Sequence, residues 1–497
     1  MLLHKMRRPD RWWRHTRLML QTSIAAISRG ICLSILSALP GVLFASFLGC
    51  TNSPAASDGG VSSPEAGRDG AVSPVSGTVA ISAAMPKPRS TSALGTSYWS
   101  WPPTWGDLLP STVTPVKKLA PFVLRVGGYN NDTNTPDPFG DAQIDLAISY
   151  ANSIGAQIIL QVPLLADVTR AMPTADTAAE MVKYTNVTKA YGVKYFSIGN
   201  EPDLYPDATG TTEGIKGFTP AAYCASATAY AAAIKAADPT IKIVGPDLSW
   251  KYQTGTNDWL TPILQACGSV FDIVAIHRYP IDPAQTTVAA AAADASQLRS
   301  TIAHVQSILQ ATGNGDKPLA ITECNITWDG SPEKSILPAS PGTVPAGMWA
   351  ADARGVGLET GLWATIFWST REGWALGLFT ATAGKPQPEY WALDLFATHF
   401  GPTLVSVSST PSGVHAYASR NAANDTTQVV VVNWNHAPAN LTFTIAGLPT
   451  APASSTLTFP SLSFGAIEIP DSGSATAVVY TESEHTADLP PQVLASP

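Results

Sequence analysis

Charged side chains are scarce in this chain. Asp, Glu, Lys and Arg make up 13% of the 497 residues, compared with roughly 25% in an average soluble protein. Positive charge is the scarcer sign, because 29 Lys and Arg residues stand against 37 Asp and Glu residues and the net charge is −8. A protein that binds DNA or RNA needs a basic surface for the phosphates. The composition therefore argues against nucleic acid as a partner, and against acidic lipid surfaces except through the N-terminus.

Motifs that hold metal ions or nucleotides are also lacking. The eight histidines form no HExxH motif and no cluster, and the cysteines form no closely spaced ligand pair. The glycine-rich GxGxxG and GKS/T patterns that cradle phosphates are absent from the sequence. We therefore predict no metal and no other cofactor.

Only five cysteines are present. Cys224 and Cys267 could form a disulfide in an oxidising compartment, but spacing alone does not show whether their geometry permits it, and both states stay open. Cys324 is predicted to be a small buried residue, because no Cys–His arrangement surrounds it.

The N-terminus has the layout of an export signal. A basic head is followed by an apolar run, Ile31 to Leu48, that ends in Gly49-Cys50. The Leu48-Gly49-Cys50 ending resembles the lipobox of bacterial lipoproteins, in which the cysteine is acylated; an uncleaved signal anchor is the alternative. We predict an export signal over residues 1–50 and a flexible tether over 51–78. Both alternatives place the rest of the protein outside the cytoplasm, most simply as a cell-surface or periplasmic lipoprotein of a bacterium, otherwise as a secreted or signal-anchored protein.

Between Leu94 and Phe400, short apolar runs alternate with Ala-rich stretches of helical length. This alternation is typical of βα units around a parallel sheet, and eight units predict a (β/α)8 TIM barrel over residues 79–402. The predicted strands are Gly95–Trp101, Phe122–Gly128, Ala156–Leu164, Tyr195–Pro202, Ile241–Leu248, Phe271–Pro280, Pro318–Trp328 and Gly361–Ser369. The predicted helices are Asp141–Ile154, Ala175–Tyr191, Pro220–Ala237, Asp258–Cys267, Val288–Gln310 and Pro345–Glu359.

The chain changes character after the barrel. Residues 403–470 contain β-rich runs and no helical pattern, which predicts a small antiparallel β-sandwich packed on the barrel. Residues 79–92 could add a strand to this sandwich. Residues 471–497 are polar and contain proline, and we predict a loose tail.

Two glutamates stand where barrel enzymes keep catalytic groups. The stretch YFSIGNEPDLY begins as an apolar strand that Pro202 ends, which leaves Glu201 at the strand's C-terminal end. Alone, Glu201 could equally be a solvated turn residue, but Glu323 follows the apolar run Leu319–Thr322 in the same way. These are the fourth and seventh strands of the count, so both carboxylates are expected at the barrel mouth. Paired carboxylates there predict glycoside hydrolysis, in which one donates a proton and the other attacks the anomeric carbon.

With these motifs the chain resembles clan A of the retaining glycoside hydrolases. The resemblance rests on GNEP after the fourth strand, TEC after the seventh and the eight-strand pattern. SIGNEPDLY, LRVGG and HRYP are most similar to glycoside hydrolase family 79, which includes β-glucuronidases and heparanase; families 39 and 44 have similar patterns. The resemblance implies a retaining hydrolase of β-linked oligo- or polysaccharides, with a β-glucuronidase-like exo-enzyme as one form. The predicted partner is a carbohydrate substrate, and no oligomeric state is predicted.

The resemblance also implies roles for single residues. Glu201 would be the general acid/base and Glu323 the nucleophile, while Asn200 would donate a hydrogen bond to the sugar 2-hydroxyl. Arg125 and Tyr279 would hold Glu323 ionised by keeping its pKa low. The charge of Glu323 would in turn raise the pKa of Glu201.

Further residues are expected near the mouth. His277 is either a structural histidine or a sugar contact. Trp368 is predicted to be a sugar platform, whereas Trp99, Trp101, Trp328 and Trp374 are predicted to be core residues. Donors for a uronic acid would come from Arg278, Arg371, Lys251 and Asn131.

Two other functions use the same motifs. A cell-surface carbohydrate-binding protein with an inactive barrel would bind a glycan without turnover. A transglycosylase would use the same residues to pass the glycosyl group to another sugar. Both glutamates and their expected helpers are present, which favours an enzyme.

Overall fold

The computed structural model describes residues 73–89, 93–98, 109–120, 122–129, 132, 140–165, 172–207, 217–253, 257–372, 374–449 and 452–494. They all belong to one compact unit that runs from Gly70 to Pro497. The predicted export signal, its Cys50 and most of the tether lie outside the described residues. Among the helices of the described part, none has both the length and the apolar character needed to cross a membrane.

Eight parallel strands close into a barrel, as predicted. They are β2 (Ala93–Tyr98), β3 (Phe122–Val126), β4 (Gln157–Val162), β5 (Tyr195–Ile198), β6 (Lys242–Leu248), β7 (Ile273–Arg278), β8 (Leu319–Cys324) and β9 (Ala364–Phe367). Neighbours pair in chain order, and β9 pairs with β2 to complete the ring. Because both faces of a barrel strand are covered, the strands are apolar runs that are almost entirely buried. Small and β-branched residues, among them Val123, Ile159, Val244 and Ala320, pack together as one cluster of strand residues.

Helices connect the strands and cover the barrel. They are α1 (Leu109–Lys118), α2 (Asp141–Ile154), α3 (Ala175–Val182, continued by a π-helix at Lys183–Thr188), α4 (Pro220–Ala237), α5 (Leu260–Cys267), α6 (Val288–Ala311), α7 (Val344–Thr360) and α8 (Pro388–Thr398). Local signals set their ends. Gly155 ends α2 in the left-handed region with a φ of 71°, and Thr219 caps α4 by accepting the N–H of Ala222. The sequence analysis did not predict α1 and α8.

A disulfide joins the two neighbouring helices α4 and α5. It links Cys224 to Cys267, whose Cα atoms are 5.6 Å apart, and this answers the question that the spacing left open. Cys324 is a free, buried cysteine, as predicted.

The second domain is one curled sheet of nine strands. Its strands are β1 (Val75–Pro88), β10 (Thr403–Ser409), β11 (Val414–Asn421), β12 (Thr426–Asn433), β13 (Ala439–Ala446), β14 (Ser455–Phe459), β15 (Ser463–Pro470), β16 (Thr476–Tyr480) and β17 (Gln492–Val493). Their order is β14-β13-β1-β10-β11-β12-β15-β16-β17. The strand expected from residues 79–92 is present as β1, which pairs antiparallel with β10 and parallel with β13. The sheet is antiparallel, as predicted, except for the parallel pair of β1 with β13, which makes it mixed.

Two predicted boundaries need correction. The tail over residues 471–497 was predicted to be loose, but β16 pairs along β15 and a short helix, α9 (Glu482–Thr486), follows. Ala477, Val479 and Tyr480 are buried, and this apolar alternation is what holds the segment in the sheet. Strand β1 begins at Val75, so the last residues of the predicted tether, 75–78, belong to the sheet.

The sheet is fastened to the barrel through α7. Asp352 on this helix is fully buried and accepts hydrogen bonds from His415, Tyr417 and the indole of Trp434, at 2.9, 2.7 and 2.8 Å. Gly355, one turn further on, lies against the ring of Tyr417, where an added Cβ would be 2.4 Å from the ring. A buried carboxylate needs such donors to compensate for lost water, and here they all come from the second domain.

Candidate active site

Glu201 and Glu323 meet at the C-terminal ends of β5 and β8, the fourth and seventh barrel strands. One carboxylate oxygen of each and a ring nitrogen of His277 all lie within 4.8 Å of one another. The Glu323 side chain is 6% exposed and that of Glu201 is 15% exposed. The two carboxyl groups that the strand count predicted to be neighbours are therefore neighbours in a nearly dry site.

Arg125, at the end of β3, connects the groups around Glu323. One amino group of its buried guanidinium donates to Glu323 Oε1 at 2.5 Å, and the other donates to Asn200 Oδ1 at 2.8 Å. Tyr279 donates its hydroxyl to Glu323 Oε2 at 2.9 Å. The structure thus brings Arg125, Tyr279 and Asn200 to the positions that the resemblance implied.

The pKa of Glu323 differs from the prediction. Burial raises the pKa of the Glu323 carboxyl above its ordinary value, while Arg125 and Tyr279 act to lower this pKa. The expected donors are in contact, but they do not outweigh the loss of water. Glu323 has these two donors, whereas Glu201 has no cationic donor within hydrogen-bond distance among the described residues.

Glu201 has a strongly raised pKa. Burial raises the pKa of Glu201 to about 8, and the negative charge of Asp203 is the next cause. The direction agrees with the prediction for a proton donor. Its predicted main cause, the charge of Glu323, is wrong, because burial and the aspartate two residues along the chain contribute more.

His277, on β7, is the nearest neighbour of Glu201. Its side chain is fully buried, and Nδ1 lies 2.9 Å from Glu201 Oε1 and 3.6 Å from Glu323 Oε2. Burial lowers the pKa of His277, so the imidazole is neutral at neutral pH. The ring is buried, as expected of a structural histidine, but it also contacts the carboxyl of Glu201, and its alternative role as a sugar contact stays a prediction.

Asn200 is fixed from behind by a buried aspartate. Asp132 accepts the backbone N–H of Asn200 at 3.3 Å and that of Leu164 at 2.7 Å, and it also accepts the hydroxyl of Tyr205. Gly199, just before, has a φ of 73°, and a Cβ there would lie 2.7 Å from the Tyr205 hydroxyl. The GNEP motif is therefore held as a tight turn that only glycine can begin.

Trp368, just after β9, is half-buried at the mouth. Its indole N–H donates to Glu372 Oε2 at 2.9 Å, and its carbonyl accepts from Asn325 Nδ2 at 2.6 Å. Gly128 of the LRVGG motif lies against the ring, since an added Cβ would be 2.5 Å from Cη2. The side chain predicted as a sugar platform is thus fixed on one edge by a carboxylate and approached closely by a glycine.

The prediction that Trp328 and Trp374 are core residues is wrong. They are 54% and 53% exposed, and both follow barrel strands at their C-terminal ends. Tyr129 and Trp250 are 45% and 43% exposed and follow β3 and β6. In the described part of the chain, these four are the large exposed aromatic side chains, and all of them stand on the face that carries the two glutamates. Trp99 and Trp101 lie outside the described residues.

Sequence reasoning missed Asp247, near the end of β6. Its carboxylate is 1% exposed and accepts from Arg125 Nη2 at 3.2 Å and from Thr322 Oγ1 at 2.5 Å. In the sequence Asp247 stands inside an apolar strand as part of GPDL, without the catalytic motif that marks Glu201. A lone carboxylate within a run predicted to be buried was the one available signal.

The cations proposed for a uronic acid are occupied by the protein itself. Arg278 forms an ion pair with Asp294, Arg371 donates to the carbonyls of Thr380 and Ala381, and Lys251 donates to the carbonyl of Asp203. Asn131 lies outside the described residues. These three side chains hold loops at the barrel mouth.

The cluster of Glu201, His277 and Glu323 has the spacing of a possible metal site. Both oxygens of Glu323 already accept hydrogen bonds, from Arg125 and Tyr279. A guanidinium 2.5 Å from one of those oxygens would repel a divalent cation. The donors on Glu323 therefore suit a reactive carboxylate better than they suit a metal ligand.

Comparison with known proteins points to the same chemistry. Residues 147–262 match the family model of glycoside hydrolase family 44, and this segment contains Glu201 and Asp247 but ends before Glu323. Family 44 is one of the two families named beside family 79, and the match does not favour family 79. No curated protein matches the chain.

Several solved structures share the fold. A family 44 xyloglucanase from Paenibacillus polymyxa has a TM-score of 0.60 at 14% identity, with 80% of this chain and 100% of that chain covered. Cel44A, a family 44 endoglucanase from Clostridium thermocellum, has a TM-score of 0.55 at 16% identity, with 79% and 99% covered. An α-L-arabinofuranosidase from Thermotoga maritima has a TM-score of 0.58 at 18% identity, with 81% and 99% covered. At these identities the likeness concerns the fold. On this fold, the family match and the carboxylate pair at the barrel mouth make the chain a retaining O-glycoside hydrolase.

Proposed function

We propose that the enzyme cleaves a neutral, β-linked polysaccharide within its chain, with Glu201 as general acid/base and Glu323 as nucleophile. The observation that carries the proposal is the separation of the two carboxylates, an oxygen of each lying within 4.8 Å. Retaining glycosidases hold these groups about 5–5.5 Å apart, whereas inverting enzymes leave about 6.5–9.5 Å for a water molecule. The short separation lets both carboxyls act on one sugar and leaves no room for such a water.

In the first step, Glu323 attacks the anomeric carbon while Glu201 gives its proton to the glycosidic oxygen. The bond between that carbon and oxygen breaks, the leaving sugar departs as an alcohol, and the remaining sugar is bound to Glu323 as an ester. Asn200 has its Oδ1 held by Arg125, so Nδ2 is the end of the amide that can donate to the 2-hydroxyl of this sugar.

In the second step, Glu201 is a carboxylate and takes a proton from water. The water oxygen attacks the anomeric carbon and the ester bond breaks, which returns Glu323 to its charged form and Glu201 to its acid form. Formation of the ester removes the negative charge of Glu323, which makes the ionised form of Glu201 easier to reach.

His277 can accompany both forms of Glu201. A neutral imidazole carries one ring proton. With the proton on Nδ1 it donates to Oε1 of the carboxylate, and it can donate to the same oxygen of the acid, whose proton is then on Oε2. We propose that the 2.9 Å contact between Nδ1 and Glu201 Oε1 persists through the cycle in this way.

The exposed aromatic side chains support a long substrate. Tyr129, Trp250, Trp328 and Trp374 stand on loops after four different barrel strands, in addition to Trp368. Aromatic faces pack against the C–H faces of sugars, so several of them around one mouth suit several consecutive sugar units. A neutral sugar fits because the cations Arg278, Arg371 and Lys251 are already bonded to the protein. The similar family 44 enzymes are described as an endoglucanase and a xyloglucanase, so β-glucan and xyloglucan are the first substrates to test.

The test combines two variants with two leaving groups. Glu323→Gln should reduce hydrolysis of 2,4-dinitrophenyl and phenyl β-cellobiosides below detection. Glu201→Ala should cost about 10²–10⁴-fold on the phenyl glycoside, which needs a proton, and far less on the dinitrophenyl glycoside. Azide should restore the turnover of Glu201→Ala, because it can attack the ester from the space that the side chain vacates.

Glu389→Gln is the matched control. Glu389 is also a buried glutamate, 2% exposed, but it begins α8 and accepts the N–H of Gly342. Its variant should keep the activity of the natural protein on both substrates. Equal losses on both leaving groups for Glu201→Ala would contradict the acid/base role. Turnover of an aryl β-glucuronide in preference to the cellobiosides would contradict the neutral substrate.

A further inference from the structure

Asp247 has an unusual place in its strand. Where β6 pairs with β7, Pro246 lies opposite Ala275 and Leu248 lies opposite Ile276, so Asp247 is an extra residue between them. Its φ is 55°, in the left-handed region that residues other than glycine rarely adopt. Such a bulge re-aims a side chain, and bulges are frequent beside active sites.

A second bulge faces the first. Where β7 pairs with β8, Ile276 lies opposite Ile321 and His277 lies opposite Glu323, which leaves Thr322 as the extra residue. Thr322 is fully buried and donates its hydroxyl to Asp247 Oδ1 at 2.5 Å. The two irregular residues are therefore bonded to each other, one of them directly before Glu323.

The remaining contacts of Asp247 reach both glutamates. Its carbonyl accepts the backbone N–H of Glu201 at 3.1 Å. Its Oδ2 accepts from Arg125 Nη2 at 3.2 Å, while Nη1 of the same guanidinium holds Glu323. Asp247 thus contacts Glu201 directly, and it reaches Glu323 through Arg125 and through Thr322.

We propose that Asp247 is a positioning residue for glycoside hydrolysis, which fixes the peptide of Glu201 with its carbonyl and holds Arg125 and Thr322 against Glu323 with its carboxylate. This inference rests on the roles proposed above for the two glutamates. A purely structural role explains the geometry less well. A buried ion pair adds little net stability and a left-handed aspartate costs some, whereas a defined separation of the glutamates requires these bonds.

The charge of Asp247 should affect the pKa of Glu201, and a residue that only stabilises the fold would not have this effect. Asp247 is one of the negative groups that favour the protonated form of Glu201. The titratable and charged groups around the Glu201 carboxyl are Arg125, Asp132, Asp203, Asp247, His277, Tyr279 and Glu323. If Asp247 alone is neutralised, less negative charge offsets the positive charge of Arg125. The pKa of Glu201 should then fall, so that Glu201 loses its proton at lower pH.

The test is Asp247→Asn, measured as kcat and KM against pH with phenyl β-cellobioside. Asparagine tolerates a left-handed φ, and its amide can accept from Arg125 and donate to Thr322, whose hydroxyl can turn to the carbonyl of Ile276, 3.4 Å away. We expect kcat to fall about 10- to 100-fold with KM little changed, because no substrate contact is removed. The alkaline limb of kcat/KM should move down by about one pH unit.

Asp352→Asn is the matched control, since Asp352 is equally buried and accepts three hydrogen bonds at the boundary with the second domain. It should lower the melting temperature without moving the alkaline limb. An unmoved limb together with an unchanged kcat in Asp247→Asn would overturn the inference.

Two further measurements separate the possible failures. If Asp247→Asn shows no cooperative unfolding, Thr322→Val, which removes the donor to Asp247, should lower kcat about tenfold or more while Thr322→Ser does not; equal activity of this pair would overturn the inference. If Glu323→Gln remained active, the proposed roles of the glutamates would fail. An inactive Glu323→Gln beside an Asp247→Asn that behaves like the natural protein would refute the role of Asp247 alone.

Discussion

The pKa of Glu201 makes the pH dependence of this enzyme predictable. Burial raises this pKa from 4.5 to about 8, a difference of about 5 kcal/mol between the two protonation states. With the ordinary value, only about 0.3% of the carboxyl would be protonated at pH 7, whereas with a pKa of about 8 the fraction is about 90%. At pH 7 the protonated fraction of the buried Glu201 is therefore about 300 times that of an exposed glutamate.

The assay is kcat/KM of phenyl β-cellobioside measured from pH 4 to 10. Glu201 must hold its proton in the free enzyme, so kcat/KM should fall tenfold per pH unit above about pH 8 as this proton is lost. At the acidic end, kcat/KM should fall as Glu323 becomes protonated, at a pH above that of an ordinary glutamate, because burial raises its pKa. With 2,4-dinitrophenyl β-cellobioside, whose leaving group needs no proton, the alkaline limb should weaken or vanish.

Two outcomes would refute this reasoning. An alkaline limb of equal strength with both leaving groups would show that the ionising group is not the proton donor. A limb near pH 8 that survives in Glu201→Ala would assign it to another residue. Tyr279 is no candidate for that residue, because burial raises the pKa of its hydroxyl well above the ordinary 10. Return of the activity when samples are brought back to pH 7 separates this titration from unfolding.

Two further predictions concern stability and binding. Burial raises the pKa of Glu389 to about 7 in the folded protein, so the carboxyl is neutral in the folded protein at pH 5. The free energy of unfolding falls as the pH rises from there through 7, because the buried carboxyl then loses its proton. The natural protein should therefore lose about 2–3 kcal/mol of unfolding free energy from pH 5 to pH 8 that Glu389→Gln does not lose, as measured by urea unfolding. A difference between the two proteins that is the same at both pH values would contradict this. Trp368→Ala should lower kcat/KM for both aryl cellobiosides about tenfold. Trp374→Ala should instead affect only polysaccharide, and the reverse pattern would exclude Trp368 as the platform nearest the cleaved bond.

The barrel and its two glutamates could be predicted because they depend on local patterns and on topology. Helices α2 and α4 have the predicted bounds because glycine, threonine and proline signals mark their ends. Most of the predicted strands reached past the observed ones, because they included the motif residues that follow each strand at the mouth, such as GNEP after β5. Helix α1 was missed in part because Pro115 interrupts its pattern. The parallel pairing of β1 with β13 joins segments more than 350 residues apart in the chain, and no local pattern indicates such a partner.

The pKa of Glu201 was predicted in direction but not in cause, whereas the pKa of Glu323 was predicted in the wrong direction. A sequence shows which charges exist, but the loss of water around Glu201 and Glu323 depends on how completely the folded chain encloses them. The same enclosure explains why Arg125 and Tyr279, although placed as implied, do not lower the pKa of Glu323 below its ordinary value. The position of His277 beside Glu323 follows from the pairing of β7 with β8, which the strand order predicts, whereas its contact with Glu201, which follows β5 two strands away, does not follow from that order.

Glu201 and Asp247 share one further property that links backbone to chemistry. Six residues other than glycine have a positive φ in the described part of the chain, and these two are joined by the bond from Glu201 N–H to the carbonyl of Asp247. The other four lie between regular elements and away from the glutamate pair. A left-handed conformation costs about 1–2 kcal/mol for each such residue. Strain of this kind persists where the surroundings hold it, most often at functional sites. The proton donor and the residue inferred to position it are thus strained together, and Asp247→Gly, which relieves the strain but removes the carboxylate, should be more stable than Asp247→Ala and no more active.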